Sequence, residues 1–323
     1  MNQTVSTPHA IAGSNFPSTS THGIALVALA GVLWGTSGTA QHLGAGGLSP
    51  FWVGAAQLAA ASLFLGLALW WALQRKPGSL ALNPRAAGLR WSWLFWASLG
   101  IGGYSVFFYE GLKLAGVGVG TAVAIGSSPI WAGLLQAVVL RAPLSALWWL
   151  GTLISVAGGA AMVLGKGSAG SASWQGLVMC LLAGLSYAGY ALINKRLVSH
   201  MSPKVVNFYV FTGAAVLAAP VALLQAGVPQ WTLPAVLVVI YLGAVVSGIA
   251  HMLFSVGLRY ISGPTGVALS LIEPVAAFVL AVWVVGEHQP MIAWLGLAAV
   301  LLGLWVVVRA EVQGSERWVS VTW

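Results

Sequence analysis

Ten long apolar runs divide the sequence, and they constrain its fold more than any other feature. A bilayer has a hydrocarbon core about 30 Å thick, which an α-helix crosses with about 20 apolar residues. Little of the chain remains for a soluble domain. The sequence therefore predicts an all-α membrane protein of ten transmembrane helices, at residues 23–42, 51–73, 91–112, 118–140, 146–164, 174–195, 205–226, 232–257, 265–285 and 290–309.

The composition agrees with a chain that lies in lipid. Hydrophobic residues make up 59% of the 323 residues and charged residues only 6%, whereas soluble domains contain about 25% charged residues. In a soluble protein the net charge of +8 would raise the question of a nucleic-acid partner. Here the positive side chains lie in the short segments between runs, so we expect a lipid bilayer as surroundings and no nucleic-acid partner.

The positive residues are unequally divided between the two sides of the membrane. If the N-terminus is cytoplasmic, the inside segments contain eleven Lys and Arg residues, and the outside loops contain only Lys113 and Lys166. Short loops rich in Lys and Arg remain on the cytoplasmic side of a membrane. The sequence therefore predicts that both termini are cytoplasmic.

The two halves of the chain resemble each other. The stretch from Pro129 aligns without gaps with the stretch from Pro274, and the alignment pairs Gly151 with Gly296. Because each repeat has five helices, an odd number, the second repeat enters the membrane inverted. Inverted repeats are typical of secondary transporters, whose substrate site lies between the repeats near the middle of the membrane. Gene duplication in a structural membrane protein is the alternative explanation.

The repeats give the predicted division of the chain into domains. Each repeat is a five-helix unit, and tails flank the pair. The predicted domains are a flexible N-terminal tail at 1–22, a first repeat at 23–164, a second repeat at 174–309 and a C-terminal tail at 310–323.

Glu273 is the most unusual residue of the sequence, because it lies inside an otherwise apolar run. A carboxylate at the centre of a transmembrane helix costs about 2.5 to 3.5 kcal/mol on insertion scales. The next residue, Pro274, and its counterpart Pro129 lack the N–H that a helix needs, so each is predicted to break its helix and to free a carbonyl. Ser128 lies beside the first proline. The pattern favours a wet cavity around Glu273, and the alternative is a packing kink capped by serine.

Helices 1 and 6 have matching stripes of aromatic and polar residues. Steps of three and then four residues place the members of each stripe on one helix face. Amide side chains need hydrogen-bond partners that lipid cannot supply, so both stripes are predicted to face a shared interior, although core packing also explains an aromatic stripe. The stripes are Trp34, Ser37 and Gln41 on helix 1, and Tyr187, Tyr190 and Asn194 on helix 6.

Four further residues complete the predicted cavity. Tyr104 and Phe108 share a face of helix 3, Trp131 follows the proline of helix 4, and His251 lies near the middle of helix 8. The aromatic rings offer apolar contact area and ring faces for an ammonium group. His251 is interpreted as a proton relay or, alternatively, as a hydrogen-bonded core residue.

Several stretches of the sequence resemble one known family. The stretches are "LAGVLWGTSGTA" (29–40), "LAGLSYAGYALINKRL" (182–197) and "VVGEHQPMIAWLGLAAVLLGLWVVV" (284–308), together with the prolines of helices 4 and 9. They resemble the EamA family of the drug/metabolite transporter superfamily, in particular its YddG-type bacterial exporters of aromatic amino acids and other metabolites, and the resemblance extends from about residue 23 to about residue 309. It implies a ten-helix basket around a central cavity in a bacterial inner membrane.

The sequence departs from the family pattern at one place. The glutamate that the family usually has after helix 4 is present in the second repeat as Glu287, but its counterpart in the first repeat is Ala142. This glutamate is therefore not expected to act symmetrically, and a structural role is favoured.

The predicted function is that of a secondary transporter that exports small amphipathic metabolites, above all amino acids including aromatic ones, by alternating access. Glu273 would bind the substrate amine or exchange a proton, with His251 as its proton partner, while Gln41, Ser128 and Asn194 would supply polar contacts. No cofactor or metal is expected, and a monomer is expected.

Three alternatives to export remain open. A channel is one of them, and it would show conductance without saturation or counter-transport. An importer or exchanger of drugs or other metabolites with the same fold is the nearest one. An intramembrane enzyme acting on a lipid-like substrate is a distant one, because the sequence contains no Asp and shows no positioned base.

Overall fold

Ten long helices make up the protein in a computed structural model that describes residues 16–44, 47–76, 78, 80–164 and 173–321. One short 3-10 turn, Pro84–Ala87, lies between the second and third helices. The helices are α1 (Phe16–Gly44), α2 (Pro50–Arg75), α3 (Trp91–Ala115), α4 (Val117–Val138), α5 (Ala146–Leu164), α6 (Trp174–His200), α7 (Pro203–Ala226), α8 (Leu233–Gly257), α9 (Gly263–Val285) and α10 (Met291–Val321).

The helices are suited to lipid on the outside. Within the described ranges, nine of them are long and apolar enough to cross a membrane. The exception is α3, which has 25 residues but is less apolar, because it contains several Trp, Gly, Ser and Tyr residues. Large apolar side chains cover the outer surface, such as Leu63 at 71% exposure and Trp283 at 81%. The prediction of an all-α, multi-pass membrane protein is confirmed.

Two helices are longer than predicted. α1 begins at Phe16 and α10 continues to Val321, so both include residues that were predicted to lie in tails. The ends of these two helices lie on the same side of the protein, which we call the terminal face, and the opposite side is called the open face.

Each of the main helix–helix contacts has an equivalent contact when the helices are exchanged for their counterparts in the other half of the chain. α2 packs on α7 and α5 packs on α10, so each of these helices meets its own counterpart. α3 packs on α6 as α8 packs on α1, and α4 packs on α6 as α9 packs on α1. This pseudo-twofold arrangement is the one expected of two inverted five-helix repeats, and it encloses a space between them.

The crossing of α5 and α10 requires glycine. A Cβ atom on Gly158 would lie 2.6 Å from the Gly296 carbonyl oxygen, and one on Gly151 would lie 2.7 Å from the Gly303 carbonyl oxygen. Small residues let membrane helices approach until their backbones touch, which increases the packing between them. The two repeats are thus held together at one side by a backbone-to-backbone contact.

α9 is interrupted in the middle of the membrane, just ahead of Pro274. Ser270 and Leu271 form a turn between the segments Gly263–Leu269 and Ile272–Leu280. The backbone N–H of Glu273 donates to the Ser270 carbonyl at 2.9 Å, which satisfies the acceptor that Pro274 leaves without its usual donor.

α4 differs from its counterpart, because it continues through Pro129. The prediction of a helix break at Pro129 is therefore wrong. A proline is tolerated within a membrane helix where the carbonyl that it frees faces a cavity rather than lipid. The carbonyl in question belongs to Ile125, and Ile125 lines the central cavity.

The extension of α10 is anchored by Glu311. One carboxylate oxygen of Glu311 accepts from the backbone N–H of Ser262 at 2.7 Å, and the other accepts from the hydroxyls of Ser262 and Thr265. A carboxylate is favoured at the N-terminus of a helix such as α9. The buried indole of Trp148 donates to the Thr265 hydroxyl at 3.1 Å, so this cluster joins α5, α9 and α10 at the terminal face.

We expect the substitution Glu311→Gln to lower the melting temperature of the purified protein in detergent. The amide keeps one acceptor oxygen but loses the charge, and the loss of charge-assisted hydrogen bonds costs about 1 to 3 kcal/mol. Glu287→Gln, at an exposed loop side chain that accepts a hydrogen bond from Gln289 at 2.8 Å, is the comparison, and it is expected to melt closer to the wild type than Glu311→Gln does. Equal melting of the two variants would show that the Glu311 cluster does not stabilise the fold.

Candidate substrate cavity

A cavity of about 750 Å³ lies between the two halves. Its lining comes from eight helices, which are all except α5 and α10. Pockets that bind small molecules have volumes of about 300 to 1,000 Å³. The lining residues Pro50, Lys113, Val117 and Gln225 are exposed and lie at helix ends on the open face. The cavity therefore opens to that face.

The floor of the cavity is closed by a hydrogen bond between α1 and α8. The indole Nε1 of Trp34 donates to Nδ1 of His251 at 3.3 Å. Because an indole N–H can only donate, Nδ1 of His251 is the acceptor of this bond, which requires the neutral imidazole. Phe211 packs edge-on against His251, with ring centroids 4.8 Å apart. These rings separate the cavity from the terminal face.

One wall of the cavity is aromatic. Tyr104 and Phe108 stack with ring centroids 5.4 Å apart and an angle of 20° between planes. Tyr187 lies 5.5 Å from Tyr104 and meets Trp34 edge-on at 6.3 Å. Such a wall can hold an apolar or aromatic group through ring faces and edges.

Glu273 faces the cavity at the interruption of α9. Across the described residues, its carboxylate has neither an ion-pair partner nor a hydrogen-bond donor. The other charged group of the lining is Lys113, whose side chain is 57% exposed at the mouth and pairs with Glu110 at 3.6 Å. The deep part of the cavity is therefore lined by aromatic side chains and by one carboxylate that has no cationic partner among the described residues.

Comparison with known proteins identifies the family. The model of the EamA-like transporter family matches residues 21–164 and matches again at residues 174–309. The chain belongs to the EamA-like transporter family. Its cavity therefore lies between the two halves of an EamA-family fold, and each half gives its own match.

Relatives of this EamA-family protein include the "Uncharacterized transporter YwfM" of Bacillus subtilis (strain 168), which is 33% identical over 285 residues, covering 88% of this chain and 93% of the relative. The "Uncharacterized transporter sll0355" of Synechocystis is 25% identical over 305 residues, covering 86% and 87%. One solved crystal structure superposes with a TM-score of 0.73 at 20% identity, over 88% of this chain and 95% of that chain. This last likeness shows the fold alone.

Most of the predicted site residues of the EamA-family protein lie together. Aromatic, polar and acidic residues from α1, α3, α4, α6, α8 and α9 meet in the cavity. The residues that line it are Trp34, Ser37, Gln41, Tyr104, Phe108, Ser128, Tyr187, His251 and Glu273.

Three predicted site residues lie outside the cavity. Trp131 lies on α4 between Ser128 and the terminal end of that helix, and its indole nitrogen has no hydrogen-bond partner among the described residues. Tyr190 is fully buried beneath the floor, where its ring stacks on Phe254 with centroids 6.4 Å apart. Asn194 is fully buried as well.

The side-chain N–H groups of Asn194 find their partners within the protein, while its side-chain oxygen has no hydrogen-bond partner among the described residues. Its side-chain N–H groups donate to the Ser255 hydroxyl at 2.9 Å and to the Tyr190 hydroxyl at 3.3 Å, and Ser255 donates to the Asn207 side-chain oxygen at 3.0 Å. The prediction that Asn194 needs a polar partner is consistent with this network. The partners are side chains of α6, α7 and α8 rather than a ligand in this conformation.

We expect Asn194→Ala to destabilise the protein by about 1 to 3 kcal/mol, because buried hydroxyl and amide groups lose their partners. The measurement is thermal unfolding in detergent, with Ser199→Ala as the control, since Ser199 is exposed near the end of α6 and its hydroxyl donates to the Lys195 carbonyl of the same helix. Unchanged melting of the Asn194 variant would contradict a structural role for this network.

Several of the residues that line the cavity were not predicted from the sequence. Gln57 on α2 and Gln225 on α7 reach the cavity, and so do the hydroxyl residues Ser105, Thr121 and Ser247. Gln57 could have been found, because it is a lone amide in an apolar run, as Gln41 is. The three hydroxyl residues gave no signal, since Ser and Thr are common in membrane helices with their hydroxyl bonded to the helix backbone.

Proposed function

We propose that this EamA-family protein is a secondary transporter that exports small amphipathic molecules with an amino group, above all amino acids including aromatic ones. The observation that carries the proposal is an unpaired carboxylate, Glu273, inside a large aromatic cavity that opens to one face. An ionisable residue within the membrane is kept where it binds substrate or exchanges ions.

The proposed roles follow from the chemistry of the lining. Glu273 binds the substrate ammonium or exchanges a proton for it. The rings of Trp34, Tyr104 and Phe108 hold the apolar side chain, and Gln41 lies nearer the mouth as a polar contact. His251 is the proposed proton partner, because taking up a proton at Nδ1 would break its hydrogen bond with Trp34 and loosen the floor.

The unequal exposure of the two stripes supports alternating access. On α1, Ser37 and Gln41 line the cavity, whereas on α6 the corresponding Tyr190 and Asn194 are buried beneath the floor. In an inverted repeat, exchanging the conformations of the two halves moves the opening to the other face. The second state would then expose Tyr190 and Asn194 and bury Ser37 and Gln41.

The arrangement in the membrane is part of the proposal. We place both termini in the cytoplasm of a bacterial cell, from the distribution of Lys and Arg, so that the open face is external and this conformation is the outward-open one. The moving units are the repeats at 23–164 and 174–309. The cavity is complete within one chain, which supports a monomer.

The proposal is tested by counterflow in proteoliposomes made with the purified protein. Liposomes loaded with an unlabelled amino acid should accumulate the same labelled amino acid transiently, and a panel of amino acids and organic cations gives the substrate range. A channel would show conductance without saturation or trans-stimulation. Absence of counterflow for every compound of the panel would overturn the proposal.

A further inference from the structure

We infer that the cavity recognises the ammonium group and the apolar body of its substrate but not an α-carboxylate, so that aryl-alkyl primary amines are ligands alongside the corresponding amino acids. The inference rests on the proposed function and narrows the chemistry of the same site.

The distribution of charged side chains in the cavity lining is the first observation behind this inference. In the lining formed by described residues, the charged side chains are Glu273 in the depth and Lys113 at the mouth. Lys113 is more than half exposed and already pairs with Glu110, so water and its partner weaken its attraction for a ligand. His251 is neutral while it accepts from Trp34. No cation in the lining is therefore placed to bind a carboxylate next to Glu273.

The two serine hydroxyls that precede the prolines of α4 and α9 do not replace that cation. The other hydroxyl groups of the lining, including that of Tyr187, which has no hydrogen-bond partner among the described residues, are neutral, so they offer a carboxylate hydrogen bonds but no opposite charge. Ser128 donates its hydroxyl proton to the Ala124 carbonyl at 2.8 Å, and Ser270 donates to the Val267 carbonyl at 2.6 Å. A serine hydroxyl has one proton to donate, so neither is available to a ligand carboxylate. The backbone N–H of Glu273, at the start of the second segment of α9, is bonded to the Ser270 carbonyl.

The covalent geometry of an amino acid makes its carboxylate unfavourable next to Glu273. Its ammonium and carboxylate are attached to the same carbon, so a substrate that pairs its ammonium with Glu273 also brings a second negative charge close to Glu273. Like charges repel strongly away from bulk water. An amine without the carboxylate keeps the ion pair and the ring contacts, because the rings of Trp34, Tyr104 and Tyr187 can face both the aryl group and the ammonium.

The test compares three matched probes by isothermal titration calorimetry on the purified full chain. Phenylalanine has ammonium, ring and carboxylate, phenethylamine lacks the carboxylate, and 3-phenylpropionate lacks the ammonium. We expect phenethylamine to bind at least as tightly as phenylalanine and 3-phenylpropionate to bind at least about tenfold more weakly than either. Glu273→Gln should weaken phenethylamine binding about tenfold or more, while elution volume and melting temperature show that the variant is folded.

Three results would overturn the inference. Phenylalanine could bind about tenfold more tightly than phenethylamine, which would show that the carboxylate is recognised. Lys113→Gln could weaken phenylalanine binding but not phenethylamine binding, which would assign that recognition to Lys113. Glu273→Gln could leave amine binding unchanged. These outcomes are distinct from failure of the proposed function, which is absence of counterflow for every compound tested.

Discussion

Glu273→Gln is expected to abolish counterflow of the amino acids that the wild-type protein transports, with a reduction of about tenfold or more in initial rate. The substitution keeps the shape of the side chain and removes the charge. Glu273 has no partner among the described residues, so the change breaks no internal ion pair and the fold should be preserved. Both proposed roles, ammonium binding and proton exchange, need a group that ionises, and an amide does not.

The matched control for this prediction is Glu287→Gln. It removes the same charge from an exposed loop side chain outside the cavity, and it is expected to leave counterflow near the wild-type rate. Initial rates are compared at equal amounts of reconstituted protein. Wild-type counterflow by the Glu273 variant would remove Glu273 from the mechanism, and with it the observation on which the proposed function depends.

Gly158→Ala is expected to destabilise the protein strongly, because it adds a methyl group at the α5–α10 contact. The added Cβ would lie 2.6 Å from the Gly296 carbonyl oxygen and 2.7 Å from the Val300 amide nitrogen. Both atoms belong to the backbone, so neither can turn aside and the helices must separate. Overpacking of this kind costs about 1 to 3 kcal/mol or more, and α5 and α10 would lose contacts along their whole crossing.

The next residue gives a control with the same chemistry. A Cβ on Gly159 would have no atom within 4 Å, so Gly159→Ala should leave the melting temperature unchanged or raise it slightly, because alanine favours helix more than glycine does. Thermal unfolding of both variants in detergent makes the comparison. Equal melting of the two variants would mean that the α5–α10 backbone contact is not what holds the two halves together on this side.

The fold followed from the sequence because its determinants are local and repeated. Apolar runs of membrane-spanning length predicted the helices, and the alignment of Pro129 with Pro274 predicted two related halves. The same alignment misled at Pro129 itself. The effect of a proline depends on the surroundings of the carbonyl that it frees. In α4 this carbonyl belongs to Ile125, a residue of the cavity lining, whereas in α9 a tighter turn gives the Ser270 carbonyl another donor.

Many polar and aromatic residues of the candidate site could be predicted from the sequence. Which of them line the open cavity and which lie beneath its floor could not. Periodicity placed Trp34, Ser37 and Gln41 on one face, and they do share the cavity. It could not show that Tyr190 and Asn194 lie beneath the floor, because that depends on which face the cavity opens to, and packing between distant helices decides this.

Some features come from long-range packing and have no local pattern. Residues 242–249 of α8 form a π-helical segment ahead of His251, where Gly243 and Gly248 allow close approach to α2. Glu311 binds the first turn of α9 across 46 to 49 residues of sequence. Each arises from contact between elements that are distant in the chain, so the residues concerned gave no signal when the sequence was considered alone.

The most direct measurement of the central claim is the labelling of a cysteine placed in the cavity. The native Cys180 is fully buried, so Thr121→Cys, in the lining, and Leu63→Cys, on the lipid-facing surface, can be compared in lipid nanodiscs with a water-soluble maleimide. The account predicts that the cysteine at position 121 reacts, that phenylalanine or phenethylamine slows the reaction, and that the cysteine at position 63 does not react. An unreactive position 121, or a labelling rate there that no amine or amino acid changes, would contradict a hydrated substrate cavity between the two halves.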